Sequence, residues 1–90
     1  MPTVKVPAPM KFYVDNQSEF EANGATIAEL LDDVVARHPA FKPHLYDSKG
    51  SLRRYFNIFV NGTHIRDLNG MDTELKEDDK VILMASAAGG

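Results

Sequence analysis

The sequence has 90 residues, 43% of them hydrophobic, and a formal net charge of −3. This length suits one domain, and the hydrophobic fraction is that of a folded globular protein, which excludes a disordered chain. The basic residues are scattered and form no stripe, so nucleic-acid binding has no electrostatic support. Cysteine is absent, which excludes disulfides, thiolate metal ligands and thiol nucleophiles.

Residues 1–10 carry prolines close to Lys5 and lack the apolar run of a signal peptide, and no stretch approaches transmembrane length. We therefore expect a cytoplasmic protein that binds neither nucleic acid nor membrane. His38, His44 and His64 lack the spacing of metal ligands, so no metal site and no bound cofactor are expected.

The first half of the chain predicts two strands and one helix. Residues 3–6 and 17–22 are strand candidates, and the Asn-Gly pair at 23–24 indicates a turn between the second strand and the helix. Thr26 and Glu29 have the spacing of a helix capping box. The apolar residues that follow fall on one helical stripe, namely Ile27, Leu30, Leu31, Val34 and Val35. Pro39 ends the predicted helix, and residues 40–45 are expected to add one turn.

The second half predicts a β-hairpin and a central strand. Residues 54–60 alternate with period two, and Asn61-Gly62 favours a type I′ turn, in which both residues have positive φ. The return strand is predicted at 63–66, a register that pairs Val60 with Thr63, Phe59 with His64, and Ile58 with Ile65. Residues 71–75 indicate a short helical turn. Residues 81–85 are apolar throughout, which is typical of a strand in the middle of a sheet.

These elements follow the order β-β-α-β-β-β. That order predicts an α+β protein with the β-grasp (ubiquitin-like) fold: a mixed five-stranded sheet, with one main helix packed across it and its first and last strands parallel at the centre. Residues 1–85 are expected to form this domain. Residues 86–90 are expected to form a flexible tail that ends in diglycine.

Several segments together resemble a known family. They are the strand "RYFNIFVNG", the ending "DDKVILMASAAGG" and the terminal diglycine. In this order they resemble the ThiS/MoaD sulfur carriers. The length and the segment 39–52 look closer to MoaD-type carriers and to the actinobacterial carriers of cysteine synthesis than to the shorter thiamine-type carriers.

The resemblance implies a function for the C-terminus. An E1-like enzyme would use ATP to adenylate the carboxylate of Gly90, a sulfur donor would convert it to a thiocarboxylate, and an acceptor synthase would consume the sulfur. Ala88 and Gly89 would thread the tail into the partner's site. Gly89 and Gly90 could pass a narrow channel, since glycine lacks a Cβ. The chain itself would be a protein co-substrate, not an enzyme, and a monomer when free.

Strand alternation also predicts a partner interface. Val81 and Leu83 are expected to face the helix, which leaves Phe59, Ile82 and Met84 on the open face of the sheet. His64 and Arg66 are expected on the same face. The alternative is that the amino-terminal loop with Met10, Phe12 and Tyr13 covers this surface.

Other interpretations remain open at this stage. The sulfur could be used to synthesise cysteine or a related sulfur metabolite. Alternatively, the chain is the small subunit of molybdopterin synthase. A third alternative is a ubiquitin-like protein modifier or interaction module. The acidic stretch at residues 67–79 is either a solvated loop region or a docking surface for a basic partner.

Overall fold

The computed structural model describes residues 1–86. The strands are β1 (Thr3–Lys5), β2 (Glu19–Glu21), β3 (Phe56–Val60), β4 (Thr63–His64) and β5 (Lys80–Ala85), and the α-helices are α1 (Ile27–Arg37) and α2 (Lys42–Leu45). Short 3₁₀ helices occupy Ala8–Tyr13, Pro39–Phe41, Ile65–Asp67 and Gly70–Asp72. The predicted elements are all present, although several are shorter than expected.

The strands form one mixed sheet in the order β2-β1-β5-β3-β4. Strands β1 and β5 are parallel neighbours at the centre, while β2, β3 and β4 pair antiparallel with their neighbours. Because β1 and β5 are parallel, the chain between them must cross the sheet, and α1 lies in that connection. This is the β-grasp fold, and it confirms the predicted fold class.

Helix α1 begins as its sequence predicts. The Thr26 Oγ1 accepts a hydrogen bond from the Glu29 backbone N–H over 3.2 Å. The Glu29 carboxylate accepts one in return from the N–H of Ala25, one residue before the expected Thr26. Both bonds satisfy donors near the start of the helix that have no intrahelical partner.

The apolar face of α1 lies on the sheet. Leu30, Leu31 and Val34 are each fully buried in the same hydrophobic cluster as the inward residues of β3 and β5, namely Ile58, Val60, Val81 and Leu83. The period-3.6 stripe of the helix and the period-two pattern of the strands therefore meet as predicted. Phe41 and Leu45, from the turn after α1, are fully buried in the same core.

Gly24 is required by a close approach of two backbones. A Cβ at this position would lie 2.6 Å from the Cα of Leu30, a contact that real side chains do not make. The glycine thus lets the chain after β2 pass directly against α1, because it presents no side chain to the helix. The sequence indicates only a turn here, and gives no sign of this contact.

The hairpin turn has the predicted conformation, with φ of 50° at Asn61 and 90° at Gly62. The pairs Val60–Thr63 and Phe59–His64 also form as predicted. The predicted pair of Ile58 with Ile65 is wrong, because β4 ends at His64 and Ile65 begins a 3₁₀ helix. The His64 Nδ1 accepts a hydrogen bond from the N–H of Arg66 over 3.1 Å, which caps that helix and ends the strand.

Other predicted boundaries are too wide. The second strand covers Glu19–Glu21 instead of 17–22, and the third begins at Phe56 instead of residue 54. The predicted turn at 71–75 is a 3₁₀ helix at Gly70–Asp72, followed by the buried Thr73. Of the predicted tail 86–90, only Ser86 lies within the described residues.

Candidate functional site

The face of the sheet opposite α1 carries the predicted apolar group. Phe59 and Ile82 are direct cross-strand partners, and both are half-buried. Met84 lies next to them on β5 and is 52% exposed. Side chains two residues apart on a strand share a face, so Ile82 and Met84 stand side by side. We call Phe59, Ile82 and Met84 the apolar patch.

The amino-terminal loop leaves part of the apolar patch exposed. Met10 and Tyr13 pack against the core, and the Tyr13 ring stacks on that of His44 in α2, with centroids 4.0 Å apart. Phe12 is 82% exposed. The stacking contact places Tyr13 beside α2, and Met84 stays 52% exposed.

A groove runs along one side of the apolar patch. It has a volume of about 420 Å³ and lies between the chain that follows β1 and the strand β5. Val6, Pro7 and Ala8 form one wall, while Ile82 and Met84 lie on the other. The groove therefore makes the Ile82 and Met84 side of the patch concave.

The two polar residues predicted for this interface have different positions. The His64 ring lies edge-on to the Phe59 ring, with centroids 5.1 Å apart, so His64 borders the apolar patch. Arg66 is exposed, but it lies in the 3₁₀ helix Ile65–Asp67 and not on β4. Its predicted place on the strand is wrong, because β4 ends two residues earlier.

The end of β5 is fixed at Ser86. The Ser86 N–H donates to the Tyr55 carbonyl oxygen over 2.6 Å, which extends the β3–β5 pairing beyond Ala85. The Asn57 side-chain amide donates to the Ser86 hydroxyl over 2.8 Å. Sequence reasoning assigned no role to Asn57 or Ser86. The register of β3 against β5 joins them, and nothing local in the sequence indicates it.

Part of the acidic stretch has a structural role. The N–H of Lys76 and the side-chain amide of Asn61 both donate to the Asp79 carboxylate, and these bonds hold its pKa below the ordinary value of 3.8. Hydrogen bonds to an ionised carboxylate favour that form. Asp72, Glu74, Glu77 and Asp78 are exposed, as a solvated loop region predicts.

The predicted sulfur-carrying residue Gly90 and the threading residues Ala88 and Gly89 lie outside the described residues. Within residues 1–86, no group of His, Asp and Glu side chains could hold a metal ion. The same part of the chain contains no helix long and apolar enough to span a membrane.

The comparison with protein families decides the assignment. The sequence profile of the ThiS family matches residues 4–90, which is nearly the whole chain. The chain belongs to the ThiS family. Its relatives include the sulfur carrier protein CysO of Mycobacterium tuberculosis, which is 30% identical over 90 residues, covering 98% of this chain and 97% of the relative. The chain is thus a CysO-like sulfur carrier of this family.

Solved structures support the same assignment. A chain in the crystal structure of the Amycolatopsis orientalis BexX/CysO complex is 32% identical, with a TM-score of 0.88 and full coverage of both chains. Small archaeal modifier protein 1 from Methanosarcina acetivorans is 27% identical, with a TM-score of 0.86, covering 99% of this chain and 95% of that one. This ThiS-family fold is therefore shared by proteins described as carriers and as modifiers.

Proposed function

We propose that this ThiS-family chain carries sulfur as a thiocarboxylate on Gly90. An E1-like enzyme binds ATP and the tail, and the Gly90 carboxylate oxygen attacks the α-phosphorus, releasing pyrophosphate. Sulfide then attacks the acyl carbon and AMP leaves, so that one oxygen of the carboxylate is replaced by sulfur. The chain is the co-substrate in this reaction, and the catalytic groups belong to the partner enzyme.

The match of the family profile through residue 90 carries this proposal, because it includes the diglycine. The chemistry of the terminus is consistent with it. An α-carboxylate has an ordinary pKa of about 3.3–3.7, so it is ionised and nucleophilic at neutral pH. From Ser86, the residues 87–90 span at most about 14 Å of extended chain, which sets how deep the partner's nucleotide can lie.

The apolar patch is the surface that we propose for docking. Phe59, Ile82 and Met84 present apolar area that is bordered by His64, with the exposed Arg66 nearby. Apolar groups surrounded by polar ones are typical of protein interfaces. The E1-like enzyme and the sulfur-acceptor synthase would bind this surface at different stages.

For the acceptor, we propose the synthesis of cysteine or a related sulfur metabolite. Full-length similarity to CysO at 30% identity favours this over the small subunit of molybdopterin synthase. A protein modifier is the second candidate, and the similarity to small archaeal modifier protein 1 supports it. A modifier would form an amide bond between Gly90 and a lysine, whereas a carrier would end as a free thiocarboxylate.

The test is the intact mass of the chain after incubation with its activating enzyme, ATP and sulfide. Replacement of the carboxylate oxygen by sulfur adds about 16 Da. The gain should need ATP and disappear when the product is passed to the acceptor synthase. A chain that gains no mass, or that appears only in covalent adducts with other proteins, contradicts the carrier mechanism.

A further inference from the structure

The end of β5 and the start of the tail are joined to β4 by a continuous path of hydrogen bonds. The Arg66 N–H donates to Nδ1 of His64 over 3.1 Å. His64 Nε2 lies 3.1 Å from Oδ1 of Asn57, and Nδ2 of Asn57 donates to the Ser86 hydroxyl over 2.8 Å. The path therefore runs from the 3₁₀ helix after β4, across β3 on the open face, to the residue that precedes the tail.

Only one assignment of donors and acceptors satisfies every hydrogen bond along this path. Since His64 Nδ1 accepts from a backbone N–H, it carries no proton, and Nε2 must carry the proton of the ring. Nε2–H then donates to Asn57 Oδ1. This bond assigns the Asn57 amide, because its oxygen faces His64 and its NH₂ group must face Ser86. Each group has a partner that matches its chemistry.

Backbone pairing alone would hold Ser86 by one hydrogen bond, which leaves its side chain free to rotate. Its N–H bond to Tyr55 fixes the main chain at the last step of the β3–β5 ladder. The bond from Asn57 to the Ser86 hydroxyl acts on the side chain, from the position two residues further along β3. Together, the bonds with Tyr55 and Asn57 hold the main chain and the side chain of Ser86 in one orientation. That orientation sets the direction of the bond by which the chain continues from Ser86.

We propose that Asn57, held by His64, is a positioning residue that aims the C-terminal tail by fixing Ser86. The proposal rests on the proposed function, in which Gly90 must reach a nucleotide in the partner. A tail that starts from a fixed point in a fixed direction loses less conformational freedom when its end enters a site. Asn57 acts through Ser86 and does not touch the reacting atoms.

The side chains of this path can be changed without disturbing the hydrophobic core. Asn57, His64 and Ser86 are all outside the buried core, and Ser86 is exposed. Removal of the Asn57 or Ser86 side chain should therefore lower the melting temperature only by the loss of its surface hydrogen bonds and leave the chain folded at the assay temperature. A loss of rate in a chain that circular dichroism shows to be folded would then report on positioning.

The experiment measures thiocarboxylate formation by intact mass, with the E1-like enzyme, ATP and sulfide, over a range of carrier concentrations. Asn57→Ala and Ser86→Ala should each lower kcat by about 3- to 10-fold, the effect of one hydrogen bond. KM for the carrier should stay within about twofold, because the apolar patch is intact. Ser86→Thr keeps the hydroxyl and should restore most of the rate.

A double-mutant cycle tests whether Asn57 and Ser86 affect the rate through one shared interaction or independently of each other. If Asn57 acts through Ser86, the double variant should lose no more rate than the worse single variant. Ser51→Ala, a matched change in an exposed loop, should react as the wild type does.

Wild-type kcat in Asn57→Ala, or a double variant that loses the product of the two single effects, overturns the positioning role alone. A wild-type chain that gains no mass overturns the proposed function, and the positioning role with it.

Discussion

The side-chain amide of Asn61 donates to Oδ1 of Asp79 over 2.8 Å, and so joins the hairpin turn to the loop before β5. The same Asn61 side chain accepts from the Lys80 N–H over 2.9 Å. Asp79 in turn accepts from the Lys76 N–H with its second oxygen, and its carbonyl accepts from Thr3 of β1. One pair of side chains thus ties the hairpin to the start of both central strands.

Loss of this pair should destabilise the fold. Asn61→Gly keeps the left-handed turn but removes both side-chain bonds, so the free energy of unfolding should fall by about 1–3 kcal/mol. Asp78→Asn, at the exposed neighbour of Asp79, is the control and should leave stability unchanged within about 0.5 kcal/mol. Urea denaturation at pH 7 measures both. Equal stability of Asn61→Gly and the wild type would show that the side-chain bonds contribute nothing.

Asp79 should also contribute to acid sensitivity. Its pKa in the folded state is lowered below 3.8 by the bonds from Lys76 and Asn61. The folded state therefore binds the proton less readily than the unfolded state, and the ionised carboxylate stabilises the protein above pH 3.8. That contribution is lost as the pH falls through the folded-state pKa. Urea denaturation from pH 5 downward should show a smaller loss of stability in Asp79→Asn than in the wild type, with Asp78→Asn as the control.

Gly24→Ala should be destabilising through overpacking. A Cβ at residue 24 meets the backbone of Leu30, which cannot turn aside as a side chain can. The free energy of unfolding should fall by about 1–3 kcal/mol. Ser48→Ala, in an exposed loop, serves as the control and should change it by no more than about 0.5 kcal/mol. A Gly24→Ala variant as stable as the control would mean that the chain and the helix lie further apart.

Phe59→Asp should weaken binding to the activating enzyme by about 30-fold or more, because a charge placed in an apolar interface loses its water without gaining a partner. Phe12→Asp is the matched control, since Phe12 is 82% exposed on the loop beside α2. Titration calorimetry measures affinity, and circular dichroism checks the fold. Equal affinity of the two variants would exclude the apolar patch as the docking surface.

Deletion of Gly90 should abolish the gain of about 16 Da, because the remaining carboxylate lies one residue, about 3.5 Å, short of the nucleotide. Addition of one residue after Gly90 should also block the reaction until a protease removes it. Both variants should unfold at the wild-type temperature, which serves as the control for folding. A deletion variant that still gains the mass and transfers sulfur would favour a different reactive group.

Local sequence determined the elements that depend on neighbours along the chain. The capping residues at 26 and 29 and the apolar stripe of α1 are fixed by contacts within a few residues. The Asn61-Gly62 turn requires positive φ at both positions, which few residue pairs allow. The alternation in β3 and β5 determined which side chains are buried. From these features, the fold and the position of the apolar patch could be predicted.

Tertiary structure decided the contacts between distant positions. Asn57 and Ser86 are 29 residues apart, and Asn61 and Asp79 are 18 apart, so each pair depends on strand register. Strand β4 ends at His64 because its ring accepts a hydrogen bond from the Arg66 N–H and so caps the 3₁₀ helix that follows. Periodicity specifies which face a side chain occupies, but not which partner meets it there, because the partner is chosen only when helix and sheet pack together.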